Sequence, residues 1–410
     1  MTLYENRQDT LGNTDKGIVI IGNGIAGLSA ADAARKHNPE IPVTIISSEE
    51  KPTYYRLRLC NLLEEDTDID SLYIHPVDWY KDKKIDVLLN KTVTSICSKE
   101  KYVVVNDSEK IPYSKLIISS GSRCFIPPVP GSDLPGVHTL WTIKDVFNIN
   151  KELANTKHAV VIGGGLLGLE AAYHINKKGV KVTIIELMPR LLPNQLDIQG
   201  SHIFQSKVES LGINVLTNVS VKAIEGEKGV EKVLLSDGNS LSTNFVLFSA
   251  GVIPNIEVTQ GLDIAINRRI VVDKYMRTNI EDIFAAGDVA VFNDRWYGQW
   301  SVAQQQGKIA GANAAGAGIE YVPDIAPYFL NTMDTKVSSL GYIIKDMSAN
   351  HDSIEFSDKS RYIYQRLFFV DNVLSGAILI GDTSKATKIS RAIKDGMTKE
   401  KVLENNLIMY

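Results

Sequence analysis

The feature that most constrains the fold of this 410-residue chain is a pattern that occurs twice. GIVIIGNGIAGLSAADAARK begins at Gly17, and HAVVIGGGLLGLEAAYHINKKG begins at His158. Each copy is a short β-branched run, a glycine turn and a segment with helical periodicity, and a second β run follows each of them (VTIIS and KVTIIE). Repeated strand–helix alternation predicts parallel sheets covered by helices, so we expect an α/β fold.

The glycine spacing of the first copy predicts a dinucleotide site. Gly22, Gly24 and Gly27 lie between the predicted strand and the predicted helix. In such a turn the first glycine permits the tight turn, the second lets a pyrophosphate approach, and the third lets the helix pack on the strand. Glu49 and Glu50 follow the next β run, where a carboxylate accepts hydrogen bonds from ribose hydroxyls. A tight turn without a ligand is the alternative.

The second copy has the same spacing at Gly163, Gly165 and Gly168, and its acidic residue is Glu186. A carboxylate there accepts from a free 2′-hydroxyl and repels a 2′-phosphate, which favours NAD over NADP. Arg190 could in principle bind a phosphate, but we interpret it as a loop arginine because Glu186 already ends the strand. One FAD site and one NAD(H) site would let hydride pass between nicotinamide and flavin. A duplication with one inactive site is the alternative.

A third motif, T-x-x-x-x-IFAAGD, ends at Asp288. It predicts a buried strand that ends in Gly-Asp, and the small-residue segment QQQGKIAGANAAG after it predicts a helix. An aspartate at this place can bind the ribityl hydroxyls of a flavin. The alternative is an aspartate that only caps a helix or forms a turn, as is common for Gly-Asp pairs.

In combination, the glycine turns, IISSG before a proline-rich linker, FSAGVIPN and IFAAGD resemble the pyridine nucleotide–disulfide oxidoreductase superfamily. Within it, SSEEKPTYYRLRL and MPRLLPNQLD are similar to the NADH:rubredoxin reductases, the ferredoxin reductases and the flavin-binding part of nitrite reductases. The resemblance implies an FAD-dependent oxidoreductase that passes hydride from NADH to FAD. It also implies that electrons then pass to a small redox protein such as rubredoxin or ferredoxin.

The resemblance implies a nested arrangement of Rossmann-like domains. An FAD-binding domain, residues 1–124 and 249–320, would be split around an NAD(H)-binding domain, residues 125–248. A small α+β domain, residues 321–410, would close the chain, with LSGAILIGD as its strongest strand and SRAIKDGMTKEKVLEN as a helix.

The resemblance also places five residues at the cofactors. These are Glu49 at the FAD ribose, Arg56 near the FAD pyrophosphate, Val93 at the adenine through its backbone, Asp288 at the ribityl chain, and Glu170 near the nicotinamide and flavin rings. Gly121, in the turn that ends IISSG, is a further predicted cofactor-binding residue.

Cys60 allows a second enzyme class. The first predicted helix, GLSAADAARKH, lacks the C-x-x-x-x-C pair of disulfide reductases. Cys60 lies close to where NADH oxidases, NADH peroxidases and CoA-disulfide reductases place a single redox cysteine, and at a helix start its pKa would be depressed. Its neighbours, RLRLCNLL, do not match those enzymes, so a buried, inert thiol is the favoured interpretation. An NADH-sensing flavoprotein without an electron-carrier partner also stays open.

Composition limits the other functions and the location. The net charge of −4 argues against a nucleic-acid binder, and no apolar run approaches the length of a membrane span. Cys60, Cys97 and Cys124 form no close pair, which argues against a metal site or a disulfide framework and fits a reducing cytoplasm.

The polar residues 1–16 are interpreted as a loosely attached leader. A monomer and a homodimer are both compatible with the sequence.

The last part of the chain is rich in basic residues. Six of them fall within seventeen positions: Lys385, Lys388, Arg391, Lys394, Lys399 and Lys401. The usual meaning of such a run is a solvated helix face. The alternative is a docking surface for a small acidic electron carrier, where complementary charge raises the association rate.

Overall fold

A computed structural model describes residues 16–64, 68–323, 327–343 and 352–409. Most of the polar leader predicted at the N-terminus, residues 1–15, lies outside the described residues. The described chain forms two compact units. One consists of residues 16–55, 68–123 and 253–323, and the other of residues 56–64, 124–252, 327–343 and 352–409.

The strands, in chain order, are β1 (Ile18–Ile21), β2 (Val43–Ile46), β3 (Ile85–Leu88), β4 (Val93–Cys97), β5 (Tyr102–Val105), β6 (Glu109–Pro112), β7 (Lys115–Ile118), β8 (Ser122–Cys124), β9 (Val137–Thr139), β10 (His158–Ile162), β11 (Lys181–Glu186), β12 (Asn214–Thr217), β13 (Val221–Glu225), β14 (Lys232–Leu235), β15 (Ser240–Ser242), β16 (Phe245–Phe248), β17 (Val252–Pro254), β18 (Ile266–Asn267), β19 (Arg269–Val272), β20 (Ile283–Ala285), β21 (Ala290–Phe292), β22 (Tyr328–Thr332), β23 (Thr335–Gly341), β24 (Asp352–Asp358), β25 (Ile363–Val370) and β26 (Val373–Ile380).

The α-helices are α1 (Ile25–His37), α2 (Asp78–Asp82), α3 (Ile143–Leu153), α4 (Leu166–Lys177), α5 (Ile198–Ser210), α6 (Trp300–Ala314), α7 (Ala386–Lys394) and α8 (Lys399–Glu404). Short 3₁₀ helices lie at Arg56–Leu63, Ile69–Leu72, Glu257–Thr259, Gly287–Val289 and Lys359–Arg361. In the part of the chain that the structure describes, no helix combines the length and apolarity that a bilayer crossing requires.

The first unit is built on a parallel sheet in the order β20-β7-β1-β2-β3. Every residue of β1 is buried, as expected for a central strand covered on both faces. Helices α1 and α6 pack closely because α6 carries glycines at the contact. A Cβ atom at Gly307 would lie 2.1 Å from the Ala26 carbonyl oxygen, and one at Gly311 would lie 1.9 Å from that of Ala30. The small-residue character of α6 therefore reflects its packing.

The second unit repeats this plan with a parallel sheet in the order β12-β11-β10-β16-β9. Strand β10 pairs in register with β11 on one side and β16 on the other, and α4 follows β10 as α1 follows β1. The α/β fold with two Rossmann-like sheets, predicted from the repeated pattern, is confirmed.

The C-terminal part of the second unit is an antiparallel sheet in the order β22-β23-β26-β25-β24. Helices α7 and α8 contribute Ile389, Ala392 and Val402 to the core beside it, which agrees with the predicted α+β class. The prediction of one closing helix is wrong. Gly396 adopts a left-handed φ of 62° just after the end of α7, and a separate helix α8 begins after Thr398.

A buried carboxylate joins helix α5 to this C-terminal sheet within the second unit. Asp197 is the N-cap of α5, and its Oδ1 accepts from the Gly200 N–H at 2.8 Å. Its Oδ2 accepts from the Tyr364 hydroxyl at 2.7 Å and from Arg366 Nη1 at 2.9 Å. The proximity of this carboxylate and burial raise the pKa of Tyr364, so Tyr364 acts as a neutral donor.

We predict that Asp197→Ala destabilises the protein markedly. Removing the carboxylate deprives the mostly buried Arg366 guanidinium of its anionic partner, and such losses cost about 3–5 kcal/mol, or a thermal midpoint lower by roughly 10 °C. The matched control is Glu225→Ala, whose ion pair with Lys232 at 2.9 Å is 44% exposed on the glutamate side and should contribute little. Equal thermal midpoints for the two variants would contradict this account.

Candidate functional site

The first candidate site lies at the carboxyl ends of the strands in the first parallel sheet. Because neighbouring parallel strands end at one edge, the turns that follow them converge there. The Gly22–Gly24 turn follows β1, the Ser119–Gly121 segment follows the neighbouring β7, and Asp288 follows β20 on the far side of β7. Glu49 follows β2 on the other side of β1. The structure therefore collects four of the predicted site segments at one sheet edge.

The three glycines of the first turn have three different surroundings. Gly22 has a φ of 102°, and a Cβ atom there would lie 2.3 Å from the Ser119 carbonyl oxygen. A Cβ atom at Gly27 would lie 1.9 Å from the Gly22 carbonyl oxygen, so the helix packs directly on the turn. Around the Cβ position of Gly24 there is no heavy atom within 4 Å. Gly24 is also the N-cap of α1 and provides no side-chain cap, so open space adjoins a helix N-terminus.

Asn23, between these glycines, carries a buried donor that lacks a protein partner. Its Oδ1 accepts from the Thr53 hydroxyl at 2.7 Å, and that hydroxyl lies 3.0 Å from the Tyr80 hydroxyl. The Asn23 Nδ2 atom is buried and has no hydrogen-bond partner within the described ranges. An unpaired buried donor is costly, and it suits a turn that receives an anionic ligand. Sequence reasoning missed Asn23, Thr53 and Tyr80, although an amide between the glycines was a visible signal.

The Asp288 turn is held against the first glycine turn. Gly287 has a φ of 80°, and a Cβ atom there would lie 2.9 Å from Ala26 Cβ in the first turn of α1. The Gly287 N–H donates to Gln306 Oε1 at 2.9 Å, and the Ser122 hydroxyl donates to Asp288 Oδ2 at 2.7 Å. The Asp288 carboxylate is thus fixed at one oxygen, and no hydrogen bond to its other oxygen is found among the described residues. Ser122 and Gln306 were not predicted from the sequence.

Glu49 and Gly121 have further contacts at this sheet edge, and one of them involves the segment that leads to Val93. Glu49 accepts a hydrogen bond from the Tyr54 hydroxyl, and its carbonyl accepts from the Asn90 N–H at 3.0 Å. That contact brings the segment before Val93, the first residue of β4, next to Glu49. Gly121 has a φ of 68° with no heavy atom within 4 Å of its Cβ position, so it also leaves space at the site.

The second glycine turn has the same geometry as the first. Gly163 has a φ of 118°, and its Cβ position lies 2.2 Å from the Ser249 carbonyl oxygen. A Cβ atom at Gly168 would lie 2.0 Å from the Gly163 carbonyl oxygen, whereas no heavy atom lies within 4 Å of the Cβ position of Gly165. Both turns therefore combine a tight bend, an open middle glycine and a close helix–strand contact.

Glu186 is the last residue of β11, and its carboxylate stabilises this second turn by hydrogen bonding. It is buried; its Oε2 accepts from the Gly164 N–H at 2.7 Å, and its Oε1 accepts from the Met188 N–H at 2.7 Å. A carboxylate has about four acceptor positions, so Glu186 can hold the turn and still accept from a ribose hydroxyl. Arg190 lies in the following loop with Nη2 3.5 Å from the Pro193 carbonyl oxygen, and its buried Nε has no hydrogen-bond partner in the described chain.

Glu170 and Cys60 lie near each other in the second unit. Glu170 is on α4 after the second glycine turn, and burial raises its pKa to about 7. Cys60 is only 4% exposed, and burial raises its pKa well above the ordinary value, with the Glu170 charge acting in the same direction. The alternative that a helix start depresses the pKa of Cys60 is not supported, because Cys60 lies inside the 3₁₀ helix Arg56–Leu63 and is buried, as the favoured interpretation of the sequence had it.

Arg56 begins that 3₁₀ helix and belongs to the second unit. Its guanidinium donates to the Trp141 carbonyl oxygen and lies 5.6 Å from the centroid of the Trp141 ring. These contacts within its own unit fix the side chain. The role at an FAD pyrophosphate that the resemblance implies for Arg56 stays a prediction.

The basic residues near the C-terminus do not form one continuous charged face. Lys385 donates to the carbonyl oxygens of Asn406 at 2.6 Å and Ile408 at 3.2 Å, which ties down the end of the chain. Lys399 pairs with Asp352 at 2.7 Å. Lys388 is exposed on the outer face of α7. The structure therefore divides the run between residues that stabilise the domain and residues that face solvent.

The chain is similar to known oxidoreductases over nearly its whole length. The sequence profile described as pyridine nucleotide-disulphide oxidoreductase matches residues 16–307, and the profile of the rubredoxin NAD+ reductase C-terminal domain matches residues 328–397. The NADH-rubredoxin oxidoreductase of Clostridium acetobutylicum is 33% identical over 392 residues, which are 96% of this chain and 98% of that protein.

The crystal structure of that enzyme has a TM-score of 0.81 at 32% identity and covers 96% of this chain and 100% of the other. The Nitrite reductase [NAD(P)H] of Bacillus subtilis is 32% identical over 92% of this chain, but the chain spans only about half of that longer protein, 47%. The resemblance drawn from the glycine turns and the IFAAGD motif is confirmed. The chain belongs to the pyridine nucleotide-disulphide oxidoreductase family.

Proposed function

We propose that this protein is an FAD-dependent oxidoreductase that passes hydride from NADH to FAD and then electrons to a small redox protein such as rubredoxin. The observation that carries the proposal is the pair of equivalent glycine turns, each with an open middle glycine at the carboxyl edge of its own parallel sheet. Two dinucleotide sites in one chain suit a flavin and a nicotinamide cofactor. The similarity to an NADH-rubredoxin oxidoreductase supports the choice of acceptor.

FAD is assigned to the first turn because the surrounding residues fit it. The open space at Gly24, the helix N-terminus and the unpaired Asn23 Nδ2 suit a pyrophosphate. Glu49 and the backbone of Val93 would bind the adenosine end, and Asp288 would bind the ribityl hydroxyls. Gly121, whose Cβ position is open, is also proposed to contact the cofactor, and the assignment of Arg56 near the pyrophosphate rests on the family resemblance.

NADH is assigned to the second turn, where Glu186 would accept from the adenosine 2′-hydroxyl while it braces Gly164. Its buried charge disfavours a 2′-phosphate, so we expect NADH to be preferred to NADPH. Arg190 is the residue that would oppose this preference. Gly163, Gly165 and Gly168 would form the pyrophosphate turn.

FAD, when bound, accepts the hydride of NADH, that is two electrons and one proton, and gives up the electrons singly with release of the proton. The protein positions the two rings, since transfer requires reacting atoms about 3–3.5 Å apart. Glu170 is proposed to lie beside the rings. As an anion it would stabilise the positive charge that develops on the nicotinamide as hydride leaves.

The rival enzyme class, in which Cys60 is the redox residue of an NADH oxidase, an NADH peroxidase or a CoA-disulfide reductase, is less well supported. Such enzymes need a thiolate, and burial of Cys60 favours the neutral thiol. The free cysteines Cys97 and Cys124 do not form a disulfide with it. We therefore propose direct electron transfer from flavin to carrier without a thiol relay.

The remaining organisation is proposed on the same basis. The FAD-binding domain would comprise residues 1–124 and 249–320, the NAD(H)-binding domain 125–248, and the C-terminal domain 321–410. The three free cysteines suit the reducing cytoplasm. The exposed face of α7 around Lys388 is proposed as a contact for an acidic carrier, either rubredoxin or ferredoxin.

The two middle glycines give a paired test of cofactor binding. Gly24 has a φ of −78° and Gly165 a φ of −83°, which alanine adopts readily, and neither Cβ meets a neighbour. We predict that Gly24→Ala folds but binds FAD at least about tenfold more weakly, because the methyl group blocks close approach of the pyrophosphate. Gly165→Ala should bind FAD as the wild-type protein does, but it should need about tenfold more NADH to reduce the flavin. Flavin fluorescence and anaerobic bleaching at 450 nm, as is usual for flavins, measure the two effects.

Each glycine variant is the control for the other, and the wild-type protein should be reduced faster by NADH than by NADPH. Exchanged effects of the two variants would reverse the assignment of the two turns. Absence of FAD from the reconstituted wild-type protein would overturn the proposed function itself.

The pKa of Glu170 predicts a pH dependence. Because burial raises this pKa to about 7, the carboxyl is neutral below that pH and ionised above it. We expect the rate of flavin reduction by NADH, measured by anaerobic stopped flow, to rise as the pH increases through about 7. Glu170→Gln should remove the rise and hold the rate near the acid limit. Glu209→Gln, on the exposed side of α5, should keep the wild-type profile, and the same profile in Glu170→Gln would contradict the role.

Cys60→Ser separates the two enzyme classes. We predict that this variant keeps most of the NADH-dependent reduction of rubredoxin, because a buried neutral thiol takes no part in it. Loss of turnover while NADH still bleaches the flavin would place the thiol in the oxidative half-reaction.

Reversal of charge at Lys388 tests the proposed docking surface. We expect Lys388→Glu to raise the Michaelis constant for rubredoxin without changing flavin reduction by NADH, because only the contact with an acidic carrier is weakened. Lys228→Glu, on the exposed β13–β14 connection, should change neither quantity.

A further inference from the structure

A buried arginine contacts the backbone of the Asp288 turn in the first unit. Arg269 begins β19 and is only 7% exposed. Its guanidinium donates to the carbonyl oxygen of Asp288. Its Cζ atom lies 3.8 Å from the centroid of the Trp296 ring, so the planar group is held between a backbone carbonyl and an aromatic face.

Trp296 is placed over Arg269 by the loop that precedes α6. Gly298 adopts a left-handed φ of 59°, and a Cβ atom there would lie 2.8 Å from the Trp296 ring. The indole remains 40% exposed, so one face contacts the cation while part of the ring meets solvent. A cation–π contact is stronger when the guanidinium is desolvated than when it is exposed, so the ring stabilises the charge in place.

The charge of Arg269 is not neutralised by an ion pair. Among the described residues Arg269 has no salt bridge, and the charge that acts on it is that of the Asp288 carboxylate. Burial lowers the pKa of Arg269. A buried cation without a close anion is unfavourable for stability. A neutral donor would bind the Asp288 carbonyl with a smaller desolvation penalty. Holding the turn therefore does not by itself explain why the residue is charged.

We propose that Arg269 is a positioning and electrostatic residue of the flavin site: it fixes the Asp288 turn and supplies a permanent positive charge that favours the reduced cofactor over the oxidised one. The inference rests on the proposed binding of FAD at this turn. Hydride transfer adds negative charge to a neutral flavin, and a cation held in a partly desolvated place stabilises that charge. Ser122 and Gln306 hold the same turn but carry no charge, so the electrostatic contribution belongs to Arg269 alone of the three.

The decisive variant is Arg269→Gln, which keeps a donor for the Asp288 carbonyl and removes the charge. Its matched control is Arg268→Gln, which makes the same change in net charge one residue earlier, at an exposed position in the β18–β19 turn. Two quantities are measured on each protein: the dissociation constant of FAD by fluorescence titration of the apoprotein, and the midpoint potential of the bound flavin by equilibration with a redox dye.

We expect Arg269→Gln to lower the ratio of affinities for reduced over oxidised FAD by about tenfold, the effect of a unit charge at roughly 10 Å in a medium of intermediate dielectric constant. For a two-electron couple this corresponds to a midpoint potential about 30 mV more negative. Arg268→Gln should leave the potential unchanged. Arg269→Lys should keep the potential close to that of wild type, because the charge remains. It should weaken FAD binding, because an ammonium cannot lie flat on Trp296 and hold the turn equally well.

The outcomes separate this proposal from the proposed function. Wild-type protein and Arg268→Gln that bind FAD, together with an unchanged potential in Arg269→Gln, overturn the role of Arg269 and leave the proposed function intact. Wild-type protein that binds no FAD overturns both. If Arg269→Gln does not fold, Arg269→Lys provides the test, and a potential as low as that expected for the neutral variant would show that the charge is not the cause.

Discussion

The whole architecture depends on how closely backbone atoms approach each other at two βα turns. At Gly27 and Gly168 a Cβ atom would lie 1.9 and 2.0 Å from the carbonyl oxygen of the first glycine of the same turn. These contacts leave no room for any side chain, and they bring each helix onto its strand. The middle glycines, Gly24 and Gly165, are different, because their Cβ positions meet no neighbour. Packing therefore explains the outer glycines, whereas no neighbour excludes a side chain at the middle ones, and this open space suits the proposed pyrophosphate sites.

The two sites are equivalent in backbone but not in their side chains. In the first, the Asn23 side chain bonds to Thr53 and has an Nδ2 atom without a partner among the described residues, while Ser122 holds the Asp288 carboxylate. In the second, the buried Glu186 carboxylate accepts from the N–H groups of Gly164 and Met188. The side-chain hydrogen bonds therefore distinguish the sites, and they support the proposed assignment of FAD to the first and NADH to the second.

Burial also decides which redox chemistry is accessible. Cys60 and Glu170 occupy neighbouring positions in the second unit, and burial raises both pKa values. The consequences differ because the ordinary pKa values differ. The pKa of the carboxyl rises to about 7, whereas the pKa of the thiol rises further above neutral pH, which favours the neutral thiol. The same environment therefore supports the proposed role of Glu170 and disfavours Cys60 as a nucleophile.

By itself, the sequence determined the features that depend on residues close together in the chain. The spacing of Gly22, Gly24 and Gly27 predicts a turn because steric exclusion acts over a few residues, and the β-branched runs beside it predict buried parallel strands for the same local reason. The duplicated pattern then predicts two such sheets. What the sequence could not provide was the break of the closing helix at Gly396, since a glycine inside a helical pattern is compatible with both outcomes.

The tertiary structure decided which distant side chains complete the site. Ser122 and Asp288 are 166 positions apart, and Arg269 reaches the Asp288 carbonyl from a different strand. No periodicity marks such residues, because their meeting depends on the order of strands in the sheets. Burial of Cys60 was likewise a matter of packing, since α3 and α4, which are distant in the chain, pack against the Arg56–Leu63 segment. Local steric rules act along the chain, while desolvation and charge depend on what the folded chain places around each group.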